Sequence, residues 1–185
     1  MKSMKYVFSL LSLLLVFTTE AKVMKKEIAT LAGGCFWGME DIIRNLPGVT
    51  NTTVGYTGGK VENPNYNIVK LGTTNHAETV EVEFDPNKIT YTELLGFFFR
   101  MHDPTTLNQQ GNDKGTQYRS VIFYHSEEQK AAAQEAIRKL DATKKWPRPV
   151  VTQLEPATKF YPAEEYHQDY LKKNPGGYTC HWMRD

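Results

Sequence analysis

Cysteine is scarce in this chain: 185 residues hold two, Cys35 and Cys180. They form no C-x-x-C pair, and no H-E-x-x-H occurs among the five histidines, so no metal site is indicated. An excess of either charge is also missing. With 22 Lys and Arg against 21 Asp and Glu, the formal net charge is +1. No field of one sign selects nucleic acid or an acidic partner. The one basic stretch, RKLDATKKWPRP at 138–149, reads as a solvated helix end. Internal repeats and low-complexity blocks are absent. The most apolar run, YVFSLLSLLLVF at 6–17, has 12 residues, whereas a comfortable transmembrane helix needs about 20.

That run follows a positive MKSMK and precedes TTEA, where Thr19 and Ala21 are small enough for a cleavage site. Residues 1–21 are therefore expected to be a secretory signal, with a single domain over 22–185 and an exported, periplasmic location. Two alternatives stand beside it. The signal could remain as a membrane anchor, or translation could start at Met24 and leave the protein cytoplasmic. After signal removal no stable membrane association is expected. A domain of this length buries a core that needs no staples. In an oxidising compartment, however, two cysteines are often one disulfide. A structural Cys35–Cys180 bridge is thus the rival of a pair of reactive thiols.

Along the chain, 27–34 reads as a strand ending in a glycine turn, 35–46 as a helix stopped by Pro47-Gly48, and 49–59 as a second strand. Residues 60–75 are polar and read as a long surface loop. The clearest strand is AETVEVEFDP at 77–86, where Val80, Val82 and Phe84 alternate with Thr79, Glu81 and Glu83. A helix follows, with Thr90 and Glu93 in capping-box positions. A second polar loop spans 104–117, then come a strand at 118–125, a helix at 126–140 capped by Ser126, and a strand at 148–156. This order predicts an α+β fold: a ferredoxin-like split βαβ core with an added helix and strand and an irregular C-terminal tail.

The stretch GGCFWGME places Cys35 where a glycine turn meets the first turn of a helix. Free N–H groups and the helix dipole there favour a thiolate. Phe36 and Trp37 are adjacent on the helix and point different ways, so one or both are available to wall a pocket beside the thiol; the competing reading is plain core packing. Glu78 shares its strand face with Val80, Val82 and Phe84. A carboxyl at the end of an apolar face is partly desolvated, which raises its pKa and suits it to donate a proton. The alternative is a strand-end glutamate reaching water. His76 has the same parity but lies nearer the loop, where a capping or positioning role fits it. A thiolate, an apolar pocket and a neutral acid suit attack on a soft, polarised centre whose oxygen must be protonated. A Cys-His protease is the competitor, yet no histidine spacing demands one.

GGCFWGME, together with GYTGG, NPNY, HAETVEVEFDP, HDPTTLNQQGND, GTQYRS and YHQDYLKKNPGGY, resembles the A-type peptide methionine sulfoxide reductases over about residues 27 to 178. The resemblance implies a catalytic domain that reduces methionine-S-sulfoxide, free or in oxidised proteins, and so repairs them. By the same resemblance Cys35 is the nucleophile, Phe36 and Trp37 hold the substrate methyl, and Glu78 is the acid. Tyr66 and Tyr118 bond the sulfoxide oxygen, and Asp113 lies near the substrate. Cys35 becomes a sulfenic acid, Cys180 resolves it to a disulfide, and thioredoxin or an exported thioredoxin-like reductant recycles it. The implied enzyme needs no cofactor or metal and is a monomer. Thr179 separates Cys180 from the GY of the motif, unlike many members. The NPGGY segment is expected to act as a hinge that delivers Cys180 only after Cys35 is oxidised.

Overall fold

The computed structural model of the protein describes residues 26–185, so the expected signal segment lies outside the described residues. In chain order the elements are strand β1 (Glu27–Gly33), helix α1 (Phe36–Ile43), β2 (Val49–Thr57), α2 (Tyr66–Val69), β3 (Ala77–Phe84), α3 (Tyr91–Met101), the short pair β4 (Gln109–Gln110) and β5 (Asp113–Lys114), β6 (Ser120–Tyr124), α4 (Glu127–Ala142), β7 (Gln153–Pro156), β8 (Tyr161–Pro162) and α5 (Tyr170–Lys173). Each long element follows from its sequence. In β3 the buried Val80, Val82 and Phe84 alternate with partly exposed Glu81 and Glu83. Helix α3 starts at a complete capping box. Thr90 Oγ1 accepts from the Glu93 N–H at 3.2 Å, and the Glu93 carboxylate accepts from the Thr90 N–H at 2.8 Å.

One six-stranded sheet carries the molecule, in the order β7-β6-β1-β3-β2-β8. Its four central strands, β6-β1-β3-β2, are antiparallel to one another, which is the ferredoxin-like arrangement expected from the element order. The added strand β7 pairs parallel to β6. On one face, Ala29 and Leu31 lie opposite Val82 and Val80 in register. They pack against Met39 and Ile43 of α1 and Leu94, Leu95 and Phe98 of α3, all fully buried. Each large apolar side chain so buried contributes about 2 kcal/mol. Among the described residues, no helix is long and apolar enough to cross a membrane.

Three expected irregular regions contain short elements. The loop at 60–75 holds α2, nucleated by Asn65, whose side chain accepts from the Ile68 N–H at 3.3 Å. The loop at 104–117 holds the β4–β5 pair and a 3-10 turn at Thr116–Tyr118. The tail contributes β8, which covers the edge of β2 through Gly55 and Tyr56, and then α5.

The site is set by strand ends. Antiparallel pairing brings the C-terminal end of β1 together with the N-terminal ends of β3 and β6, and Gly33 lies opposite Ser120. Between β1 and α1 the chain turns through Gly34 at φ +111°, where a Cβ would stand 2.7 Å from the Gln110 side chain. Only glycine fits that turn. Cys35 follows it as the N-cap of α1.

Candidate active site

At this edge of the sheet lies a pocket of about 100 Å³ lined by Cys35, Phe36, Trp37, Tyr66, Glu78, Asp113, Tyr118 and Tyr178. Seven of these are residues singled out from the sequence. The eighth so singled out, Cys180, lies directly alongside, its Sγ donating to Asp113 Oδ2 at 3.3 Å. Tyr178 is the member that the sequence reading missed; its hydroxyl donates to the same Asp113 oxygen at 3.0 Å.

Glu78 enters from the start of β3 and is 1% exposed, on the apolar face that strand parity assigned to it. Its Oε2 accepts from the Phe36 N–H at 3.2 Å. Burial pushes its pKa from 4.5 to about 8; the Phe36 hydrogen bond pulls the other way, and nearby Asp113 pushes further up. The carboxyl is therefore mainly protonated at neutral pH and carries a proton that it can give away.

Cys35 differs from the expectation of a stabilised thiolate. Burial, reinforced by Glu78, raises its pKa far above the ordinary thiol value, against the pull of the Trp37 N–H. The reason lies in how the N-terminus of α1 is used, because its first peptide N–H, that of Phe36, is spent on Glu78. What remains does not offset removing a thiolate from water. At neutral pH Cys35 is held as a thiol.

Phe36 and Trp37 diverge as neighbours on a helix do. Phe36 is 1% exposed and packs against Tyr56 and His167, at ring-centre distances of 5.9 and 5.1 Å. Trp37 stays half-buried, stacked on Tyr170 at 3.8 Å with the planes 12° apart, and its indole N–H donates to His167 Nδ1 at 3.0 Å. Both border the pocket. Tyr66, at the start of α2, is anchored by its backbone N–H on Glu164 Oε1 at 2.9 Å. Burial and Glu78 raise the pKa values of Tyr66 and Tyr118, so both phenols keep their protons as donors. His76 has the positioning role expected of it: it accepts from the Gly59 N–H at 3.2 Å and bonds Val61 O at 2.8 Å, fixing the glycine turn.

Both cysteines are free thiols, and Cys180 is already docked in this reduced state, 9% exposed. Burial and the bond to Asp113 push its pKa up to about 12. The tail therefore does not hold Cys180 away until Cys35 is oxidised, as the hinge expectation required. Asp113 and Tyr178 bring it in beforehand. The supporting residues His167, Glu164 and Tyr170 were unassigned in the sequence, where YHQDY is a polar-aromatic string without periodicity. Among the described residues, no group of three or more His, Cys, Asp or Glu is placed to hold a metal ion.

A buried thiol facing a neutral carboxylic acid and two phenols, with a second thiol beside it, defines a thiol-dependent oxidoreductase. The profile of the family described as peptide methionine sulfoxide reductase matches residues 27–185. Peptide methionine sulfoxide reductase MsrA 2 of Rhodopirellula baltica is 56% identical over 158 residues, covering 85% of this chain and 92% of that one. The reduced form of Mxr1 from Saccharomyces cerevisiae superposes with a TM-score of 0.83 at 41% identity, over 90% of this chain and 96% of that one. Mxr1 solved in complex with Trx2 gives 0.61 at 30% identity, over 91% and 97%. This chain belongs to the peptide methionine sulfoxide reductase family, and it is an oxidoreductase that reduces methionine sulfoxide through thiol chemistry.

Proposed function

We propose that the pocket reduces the S epimer of methionine sulfoxide, free or in proteins, with Cys35 as nucleophile and Glu78 as acid. The observation that carries this reading is the neutral Glu78 carboxyl, locked by the Phe36 N–H next to the Cys35 thiol in an aromatic-walled pocket. The substrate methyl packs against Trp37 and Phe36. Asp113 borders the substrate, and the sulfoxide oxygen faces Glu78, Tyr66 and Tyr118. Cys35 Sγ attacks the sulfoxide sulfur while Glu78 passes its proton to the oxygen and the thiol proton restores Glu78. The hydroxyl then transfers to Cys35 as the methionine S–O bond and the newly formed S–S bond both break, leaving the free thioether and a Cys35 sulfenic acid. The methionine sulfur is reduced by two electrons and Cys35 is oxidised by two, so the step balances without another reagent.

Cys180 then attacks the sulfenic sulfur, water leaves, and a Cys35–Cys180 disulfide remains. A thioredoxin-like dithiol protein reduces it, a role supported by the Trx2 complex of the similar Mxr1. The positive start, apolar run and small residues of 1–21 support export, and the reductant would then be an exported thioredoxin-like domain. The stereochemical reading is tested on racemic methionine sulfoxide followed by chiral separation. Half is expected to disappear, all of it the S epimer, with no reduction by a folded Cys35→Ser variant. Consumption of both epimers at equal rates contradicts the proposal.

A further inference from the structure

The residue after Cys180 is built into the site as firmly as the cysteine itself. His181 is 6% exposed, and its Nε2 lies 2.8 Å from Gly33 O. A carbonyl only accepts, so Nε2 carries the hydrogen and Nδ1 presents its lone pair. That lone pair faces Cys180 Sγ at 3.5 Å. Burial lowers the pKa of the ring to about 4, so it is neutral at neutral pH.

The ring fits a notch made by the two glycines that flank Cys35. A Cβ on Gly34 would stand 3.0 Å from His181 Cε1. One on Gly38 would overlap Thr179 Oγ1 and stand 2.7 Å from His181 Nδ1. A third glycine, Gly111, leaves room for Cys180 itself, since a Cβ there would come within 3.2 Å of the cysteine Cβ. Thr179, which displaces the cysteine by one position, shapes the turn: its Oγ1 accepts from the His181 N–H at 3.1 Å.

We propose that His181 is the positioning residue of the disulfide-forming step, a plug that seats Cys180 on Asp113 beside Cys35 so that the sulfenic acid is resolved in place. This rests on the reading of Cys35 and Cys180 as a redox pair. In the step, the Cys180 S–H proton passes to the Asp113 carboxylate as the sulfur attacks Cys35 Sγ. The S–O bond breaks, and the hydroxyl departs as water with a proton from Glu78. Only the two sulfurs change oxidation state, and the proton gained by Asp113 balances the one lost by Glu78. Preceded by Gly176-Gly177, a tail without the plug loses the orientation that makes the attack effectively unimolecular, and misplacement by about 1 Å costs up to about 100-fold.

The test is a single turnover of the fully reduced chain with one equivalent of methionine-S-sulfoxide, following methionine release and thiol loss separately. In His181→Ala, methionine release is expected at the wild-type rate, thiol loss about 10- to 100-fold slower, and a sulfenic acid trappable by dimedone in the interval. Gly38→Ala fills the notch from the other side while favouring the helix, and is expected to give the same split. His181→Gln keeps an N–H for Gly33 O and restores part of the rate. Turnover with dithiothreitol, which reduces the sulfenic acid directly, is unaffected. Thiol loss at the wild-type rate in both His181→Ala and Gly38→Ala overturns the proposal. A wild-type protein that releases no methionine refutes the underlying redox reading instead, so the two failures appear in different traces.

Discussion

At Glu78 the cost of burying a charge exceeds what one peptide N–H returns, and the carboxyl is held at about 8. The acid form is present below that value and disappears above it, so the reduction step is expected to be flat towards acid and to decline as pH rises through about 8. Glu78→Gln should slow that step by about 10² to 10⁴ and abolish the decline; a Gln variant as fast as the wild type at neutral pH contradicts the assignment. The same shift has a consequence for stability. Between 4.5 and about 8 the native state holds a proton that the unfolded chain releases, so stability falls as pH rises across that window. Urea unfolding of the Gln variant should lack this slope. Strand parity made Glu78 legible in the sequence, because alternation fixes a face whatever the neighbours are. The same reading erred on the state of the Cys35 thiol. A helix N-terminus has few free N–H groups, and no pattern in residues 35–40 shows that one of them is taken by the Glu78 carboxyl of β3.

Caps and long periodic elements were readable for a related reason: Thr90 with Glu93, and Ser126 with Gln129, act within one turn of their own helix. The short elements inside the expected loops and tail, α2, β4, β5, β8 and α5, were not. The tyrosine-rich tail is held by contacts that no period announces. Glu164 accepts from the Tyr66 N–H at 2.9 Å and from the Tyr56 hydroxyl at 3.0 Å, and Gln168 bonds both the N–H and the carbonyl of Val54 at 2.9 Å. This clamp lays the segment across β2 and α1 and fixes Tyr66 at the pocket. Glu164→Ala leaves two donors unpaired and is expected to cost about 2 kcal/mol, with a raised KM for sulfoxide as Tyr66 loses its anchor. Thr90→Ala, at the far end of the core, is expected to cost about 1 kcal/mol with KM and kcat unchanged. Urea midpoints and steady-state kinetics on the two variants separate a clamp on the site from a cap remote from it; equal kinetic effects contradict the distinction.

Across the whole molecule, the order of strands and helices gave the ferredoxin-like sheet because each crossover leaves few places for the next strand. The composition of the pocket was less legible. Tyr66, Asp113 and Tyr118 lie in stretches that are polar and aperiodic, and only the resemblance of their motifs marked them. Tyr178 ends the YHQDYLKKNPGGY motif of the same resemblance but was given no role from it. Export belongs to this scale too: sequencing the N-terminus of the mature protein should begin at Lys22, whereas a start at Met1 or Met24 contradicts a cleaved signal over 1–21. The central claim is that two thiols in one site take the oxygen from a sulfoxide and keep the oxidation as a disulfide. It is tested most directly by adding one equivalent of methionine-S-sulfoxide to the reduced protein and counting thiols and methionine together. The account predicts two thiols before and none after, with one methionine formed, and one methionine with a trapped sulfenic acid in Cys180→Ser. Methionine formed while both wild-type thiols survive, or formed by Cys35→Ser, contradicts it.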